Sequence, residues 1–274
     1  MSTIAHMDAS HDTSRYTVGW IAPLPLELTA AVGMLEDPII LEVPDDDVLY
    51  HVGRIGSHFV VMVVCPRMGI EPAATALANM RRSFPNIKHV LVVGIAGGMP
   101  YYNPDLQEQI VLGDVVVGVP QQGRGGVTYY EFSAWEGQNE LTVKEHTLHP
   151  SAALLTAVNN LRSVHMQVVG SKIPRYLEEL RRGLNERSRQ AYEDPKAEYD
   201  HLFEDSYLHT DRRRFLVRSS AKRNELHARH NIICLEMEAA GVMSDYQGLV
   251  IRGVCDYTDS HKNKKVVNRV ISSR

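Results

Sequence analysis

The segment Cys234-Leu235-Glu236-Met237-Glu238-Ala239-Ala240-Gly241 joins a predicted apolar strand at 232–235 to a helix of small residues. A second apolar run, 249–255, follows closely and ends at Asp256. An unpaired carboxylate at a buried strand end is costly or shifts its pKa. Ligands of α/β proteins bind outside the carboxyl ends of the strands. Three acids at two such ends therefore predict a site that binds hydroxyl groups and transfers a proton.

Strand and helix patterns also alternate along the rest of the chain. Strands are predicted at 16–22, 48–52, 58–65, 89–93 and within 110–119, and helices at 26–35, 71–82 and 151–162. This alternation is typical of a mixed or mostly parallel sheet covered by helices. We therefore expect a single-domain α/β fold in which helices flank a central mixed β-sheet.

The predicted domain extends over 16–274, and two segments differ from it in composition. Residues 1–15 are polar and lack the apolar core of a signal peptide, so we expect a disordered leader. Residues 170–230 are rich in Lys, Arg and Glu, with a basic cluster at Arg212-Arg213-Arg214. Long charged runs usually face solvent, which favours a solvated insertion over a phosphate-binding or partner-binding arm.

Composition narrows the class of protein. The 274 residues carry a formal net charge of -4, which argues against a nucleic-acid partner because such proteins usually have a basic face. No apolar run reaches the roughly 18 to 20 residues of a membrane span. Cys65, Cys234 and Cys255 are isolated within apolar runs. We expect reduced core thiols in a cytoplasmic protein, with neither a disulfide framework nor a zinc site.

Two further features are ambiguous when each is taken alone. Glu27 lies in the first turn of a predicted helix, where an acid also has a purely structural role against the helix dipole. The glycine-rich stretch Gly94–Gly98 follows a strand and could bring backbone N–H groups close to an anion or a sugar. Its spacing does not match the dinucleotide-binding GxGxxG pattern.

Together and in this order, the motifs resemble the nucleoside phosphorylase/nucleosidase superfamily of purine nucleoside phosphorylases, uridine phosphorylases and methylthioadenosine nucleosidases. The similarity is greatest to a fungal branch often fused to NACHT or ankyrin modules, for which 255–264 is close to a signature. The matching stretches are 19–27, 68–70, 73–74, 92–98, 112–117, 236–240 and 251–259.

The resemblance implies a role for each matching residue. Glu238 accepts hydrogen bonds from the ribose 2′- and 3′-hydroxyls, Met237 packs on the sugar, and Glu236 is a neighbouring ribose-side acid. Asp256 protonates or hydrogen-bonds the purine N7, and Glu27 contacts the attacking water. The resemblance implies no metal or organic cofactor. It implies a nucleoside or nucleotide ligand and a homo-oligomer, either a dimer or a trimer of dimers.

The nucleophile is predicted from a departure from the family pattern. The loop residues Ile95, Ala96 and Gly97 would lie under the nucleophile and the ribose. Phosphorylases carry an arginine before this loop and a serine or threonine within it, whereas this chain has Val92 and Ile95. Arg67 is a possible phosphate ligand from a neighbouring loop. The departure favours water over phosphate, because a phosphate dianion needs charged donors.

Two further departures concern the base. The family's Ser-Gly-Asp-like turn is absent from 211–217, and the chain ends soon after 264–267, where a final helix is expected. We predict hydrolytic cleavage of the N-glycosidic bond of purine nucleosides or nucleotides. The alternatives are a phosphate-dependent phosphorylase and a catalytically weak or inactive nucleoside-binding or signalling module. Recruitment to other chemistry also stays open, since fold does not imply function.

Overall fold

The computed structural model describes residues 3–6, 12–100, 110–120, 125–135, 138–144, 147–167, 172–186, 189, 202 and 220–258. The chain divides into two compact units, which are described separately below. Unit 1 combines 1–93, 117–170 and 237–251. Unit 2 combines 94–116, 171–236 and 252–274.

The described residues form strands and helices in alternation. The strands are β1 Thr3–His6, β2 Val18–Ala22, β3 Glu36–Glu42, β4 Leu49–Ile55, β5 His58–Val64, β6 His89–Gly98, β7 Val115–Val117, β8 Tyr129–Trp135, β9 Gln138–Lys144, β10 Cys234–Leu235 and β11 Leu249–Asp256. The helices are α1 Pro25–Val32, α2 Ile70–Ser83, α3 Ala152–Gln167, α4 Ile173–Gly183, α5 Ser220–His230 and α6 Ala239–Met243.

The central sheet is mixed. Its strand order is β1-β3-β4-β5-β2-β6-β11-β7, β10 pairs with β6, and β8 and β9 form a separate two-stranded sheet. Strand β2 pairs in parallel with β5 and β6, whereas β4 is antiparallel to β3 and β5. The predicted fold class, an α/β fold with a mixed central sheet, is confirmed.

Within unit 1, successive side chains of β5 enter two different cores. One core contains Val60 and Met62 together with Leu28 and Ala31 of α1. The other contains Val61 and Val63 together with Ala73, Ala76, Leu77 and Met80 of α2. Because side chains alternate between the faces of a strand, α1 and α2 cover opposite faces of the sheet. Burial of each Val, Leu or Met side chain contributes about 1.5–3 kcal/mol, and burial of each Ala contributes less.

The predicted glycine loop is wrong, because Gly94–Gly98 forms the last part of β6. Gly97 and Gly98 pair with Leu235 and Cys234 of β10. A Cβ atom on Gly98 would lie 2.5 Å from the Val254 side chain. The glycines therefore allow close packing within a strand and do not form a turn.

The strand predicted within 110–119 is reduced to β7. Gly113 has a φ of 93°, and the Asp114 carboxylate accepts a hydrogen bond of 2.8 Å from the Val111 N–H. These two features form a bend at Gly113-Asp114, and the strand begins only after it, at Val115.

Several described elements were not predicted. Strand β3 and the β8–β9 pair were missed, and the predicted leader contains β1 and a short 3₁₀ helix at Thr13–Arg15. Helices α4 and α5 lie within the predicted charged insertion. No helix in the described ranges is long and apolar enough to cross a membrane.

Candidate active site

Glu27 occupies the third position of α1 in unit 1. Pro25 opens this helix with its φ already set, and Leu24 is the N-cap residue. The buried Glu27 carboxylate reaches back and accepts a hydrogen bond of 2.6 Å from the Leu24 N–H. Glu27 therefore caps the helix that follows β2, which is the structural role that an acid in a first turn can have.

Glu238 of unit 1 is also buried, with an exposed fraction of 4%. Its Oε1 accepts from the Gly69 N–H at 3.3 Å, and its Oε2 accepts from the Met237 N–H at 3.4 Å. Gly69 is the N-cap residue of the 14-residue helix α2. The positive end of the helix dipole stabilises an anion there. The backbone therefore holds Glu238 as a charged hydrogen-bond acceptor.

The residues beside Glu238 differ in exposure. Met237 has an exposed fraction of 37%, so its thioether presents apolar surface next to a buried charge. Arg67 forms an ion pair with Glu71 at 3.4 Å, and its side chain is 74% exposed. A pair this exposed contributes little to stability and belongs to the solvated surface.

Gly241 lets α6 pack closely against α2 within unit 1. A Cβ atom on Gly241 would collide with the Ile70 carbonyl group, whose carbon would lie 2.9 Å away. Ile70 follows Gly69, and Gly241 lies one turn after Glu238, so this approach places the carboxylate at the start of α2.

We predict that Gly241→Ala lowers the free energy of unfolding by about 1–3 kcal/mol, because the added methyl forces α6 away from α2. Chemical denaturation followed by circular dichroism measures this change. The same shift should weaken the hydrogen bond between Gly69 and Glu238. An unchanged denaturation midpoint would contradict the prediction, because it would show that α6 can move away from α2 without a loss of stability.

Glu236 lies in unit 2, and its carboxylate forms an ion pair with Arg252 of β11. The Arg252 side chain is 1% exposed. A buried charge of this kind needs an ionic and hydrogen-bonded partner, which Glu236 supplies. The ion pair with Arg252 is observed in the structure. The role of Glu236 beside the ribose stays a prediction.

Burial, together with the nearby Glu236 carboxylate, raises the pKa of the Cys234 thiol to about 12. The thiol therefore stays protonated near neutral pH and is a poor nucleophile. Cys65, Cys234 and Cys255, all within the described ranges, form no disulfide.

Asp256 ends β11 in unit 2 and lies against β6. Its Oδ1 accepts a hydrogen bond of 3.0 Å from the Thr258 N–H, and Cys255 Sγ lies 3.4 Å from its Oδ2. A Cβ atom on Gly97 would lie 2.7 Å from Asp256 Oδ1, so only glycine leaves room for the carboxylate. Beside Gly97, Ala96 is buried and Ile95 packs on Cys255.

The structure thus brings several predicted residues together within each unit. Met237 and Glu238 meet in unit 1, and Gly97 and Asp256 meet in unit 2. The roles predicted for these residues stay predictions. The basic cluster 212–214, the departure at 211–217 and the signature residues 259–264 lie outside the described residues.

Sequence reasoning missed the partners of the acids. Gly69 was noted only as part of a motif, and Arg252 was passed over within an apolar run. A lone arginine in such a run does predict a buried ion pair. The contact between Asp256 and the Thr258 N–H is an Asx-turn, a local pattern that an aspartate at a strand end can indicate.

Comparison with known proteins supports one family. The family described as the phosphorylase superfamily matches residues 17–267. A Hyaloscypha variabilis protein described as nucleotide-binding leucine-rich repeat (NLR)-like is 33% identical over 280 residues, covering 91% of this chain. This chain spans 27% of the length of that relative.

Solved structures of nucleosidases share the fold. The 5'-methylthioadenosine/S-adenosylhomocysteine nucleosidase of Neisseria meningitidis has a TM-score of 0.56 at 17% identity, covering 94% of this chain and 93% of that one. The futalosine hydrolase of Helicobacter pylori has a TM-score of 0.54 at 13% identity, covering 94% and 92%. At these identities the likeness establishes the fold alone.

Proposed function

Because the chain belongs to the phosphorylase superfamily, we propose that it cleaves the N-glycosidic bond of a purine nucleoside or nucleotide, with water as the nucleophile. The Glu238 carboxylate carries this proposal. It is buried, it accepts from the Gly69 N–H at the start of α2 and from the Met237 N–H, and the Met237 side chain beside it is partly exposed. Such an acceptor suits a ligand with neighbouring hydroxyl groups.

In this proposal, Glu238 binds the sugar. The ribose 2′- and 3′-hydroxyls donate hydrogen bonds to its oxygens, and a charged acceptor makes these bonds stronger than a neutral one would. Met237 packs its thioether on the apolar face of the sugar ring. Backbone donors already hold the carboxylate, so little conformational entropy is lost when the sugar binds.

Asp256 acts on the leaving base. The bond between C1′ and the purine N9 breaks, and its electron pair moves into the base. Asp256 gives its proton to N7, so the base leaves neutral. General acid catalysis of this kind contributes about 10²–10⁴-fold to a rate.

Glu27 acts on the nucleophile. Water adds to C1′, which has oxocarbenium character as the base leaves, and gives its proton to the Glu27 carboxylate. The hydrogen bond from the Leu24 N–H holds that carboxylate in place. The products are the free base and the free sugar, and the proton returns to Asp256 through solvent.

Water is favoured over phosphate by the side chains at the phosphorylase positions. Val92 is fully buried and Ile95 is partly buried, and neither can donate a hydrogen bond from its side chain. Arg67 is engaged with Glu71 on an exposed surface. A phosphate dianion bound away from bulk water needs charged or multiple donors, and the Val92 and Ile95 side chains supply none.

A panel of nucleosides and nucleotides, incubated with and without phosphate, tests the reaction. We expect free base and free sugar in the absence of phosphate, with oxygen-18 from labelled water at C1′ of the sugar. Chromatography and mass spectrometry detect these products. Strict dependence on phosphate, with ribose 1-phosphate as the product, would replace hydrolysis with phosphorolysis.

A second candidate is a nucleoside-binding module with little or no turnover. It is favoured by the similarity to an NLR-like protein of which this chain spans 27%. Calorimetry that detects nucleoside binding without any product in the panel would support it. The homo-oligomer predicted from the family, a dimer or a trimer of dimers, is likewise a proposal, which analytical ultracentrifugation tests.

A further inference from the structure

The two described residues that follow β11, Tyr257 and Thr258, are held by contacts within unit 2. The Thr258 N–H donates to Asp256 Oδ1 at 3.0 Å. The Tyr257 carbonyl accepts from Arg223 Nη1 at 2.9 Å. The Thr258 hydroxyl donates to the Gly98 carbonyl at 3.2 Å. A carboxylate that needed only to face solvent would not require this set of contacts.

Thr258 has an unfavourable backbone conformation. Its φ is 55°, in the left-handed region that β-branched residues rarely adopt, and its exposed fraction is 5%. Such a conformation persists only where the surroundings hold it, and it is often found at functional sites.

Arg223 is a buried cation on α5. Its Nε donates to the Asn224 side chain at 3.0 Å, and its Nη1 donates to the carbonyl of Tyr257. Burial of a guanidinium group is costly unless hydrogen bonds compensate for the lost water. The fold therefore places a costly group on the carbonyl of the residue directly after Asp256.

We propose that Thr258 and Arg223 are positioning residues for Asp256. They hold the turn so that the Thr258 N–H donates to Asp256 Oδ1 and fixes the orientation of the carboxyl group for proton transfer. Two glycines take part. Gly97 leaves room for the Asp256 carboxylate, and Gly98 supplies the carbonyl that anchors the Thr258 hydroxyl. This inference rests on the proposed function, since it gives Asp256 the role of general acid.

A comparison of two variants and two substrates tests the role of Thr258. Thr258→Val removes the hydroxyl and keeps the branched shape, whereas Thr258→Ser keeps the hydroxyl. With a purine nucleoside, we expect Thr258→Val to lower kcat about 10-fold to 100-fold at an unchanged KM. Thr258→Ser should stay within about threefold of the wild-type kcat, because its hydroxyl can still reach the Gly98 carbonyl.

The second substrate is a 4-nitrophenyl riboside, whose leaving group departs as a phenolate and needs no proton. Its rate should change by less than about twofold in Thr258→Val, because general acid catalysis is not required. A merely structural role would lower both rates together. Equal losses on the two substrates, or no loss on the purine nucleoside, would overturn the proposal.

Hydrogen–deuterium exchange separates this inference from the proposed function. The Thr258 amide should exchange at least about tenfold faster in Thr258→Val and in Arg223→Met, at an unchanged melting temperature, because its hydrogen bond to Asp256 opens. If the wild type cleaves neither substrate, the proposed function fails and the exchange rates still decide the inference. Unchanged exchange of the Thr258 amide in Thr258→Val would overturn the inference. If Arg223→Met does not fold, the result for Thr258→Val alone decides.

Discussion

Asp256→Asn should lower kcat for a purine nucleoside by about 10²–10⁴-fold, which is the usual contribution of a general acid. The amide has the same shape as the carboxyl group, and its oxygen can still accept from the Thr258 N–H. It has no acidic proton to give to the leaving base. The fold and the sugar contacts remain, so KM should change little.

Steady-state kinetics with chromatographic detection of the free base measures this loss. Asp245→Asn is a matched control, because it makes the same chemical change at an exposed position next to α6. We expect the control to stay within about twofold of the wild type, as is usual for surface substitutions. An Asp256→Asn enzyme that kept most of its kcat would remove Asp256 from the role of proton donor.

Glu238→Gln should lower kcat/KM by about 100-fold or more, because two hydrogen bonds to a charged group are replaced by bonds to a neutral amide. The change also places an amide NH₂ group among donors that need an acceptor. The Gly69 and Met237 N–H groups both point at this carboxylate. Some loss of stability is therefore expected together with the loss of activity.

A ligand that lacks the hydroxyls separates these two effects. The wild type should already cleave a 2′-deoxynucleoside slowly. On this substrate Glu238→Gln should lower kcat/KM by a smaller factor than on the ribonucleoside, because the contact to the 2′-hydroxyl is missing in the wild type and in the variant. Glu71→Gln is the matched control, since Glu71 is an exposed acid in the first turn of α2. Equal losses on both sugars would show that Glu238 acts through stability alone.

Much of the fold could be predicted from local patterns. The helix predicted at 71–82 is α2, Ile70–Ser83, because apolar residues recur at helical spacing after Pro72. The strands predicted at 48–52 and 58–65 from two apolar runs are β4 and β5, which pair antiparallel. Strand β3 was missed because charged residues and Pro38 interrupt its apolar residues, and its pairing with β1 and β4 compensates for them.

The glycine-rich stretch shows why local patterns fail at the site. Glycines 94, 97 and 98 predicted a loop, since glycine usually interrupts strands. In the fold, β10 pairs with this segment and the Asp256 carboxylate lies against Gly97. The requirement for glycine comes from partners that are distant in sequence, so no window along the chain can show it.

The sequence by itself determined the alternation of strands and helices, the acids at the strand ends and the family, because hydrophobic periodicity and motif order are properties of the chain. Only the tertiary structure decided which contacts form between residues that are distant in sequence. Glu238 meets the N–H of Gly69, 169 residues away, and Thr258 meets the carbonyl of Gly98, 160 residues away. Such contacts depend on how the whole chain folds, because backbone donors and acceptors are the same at almost every position and carry no sequence signal.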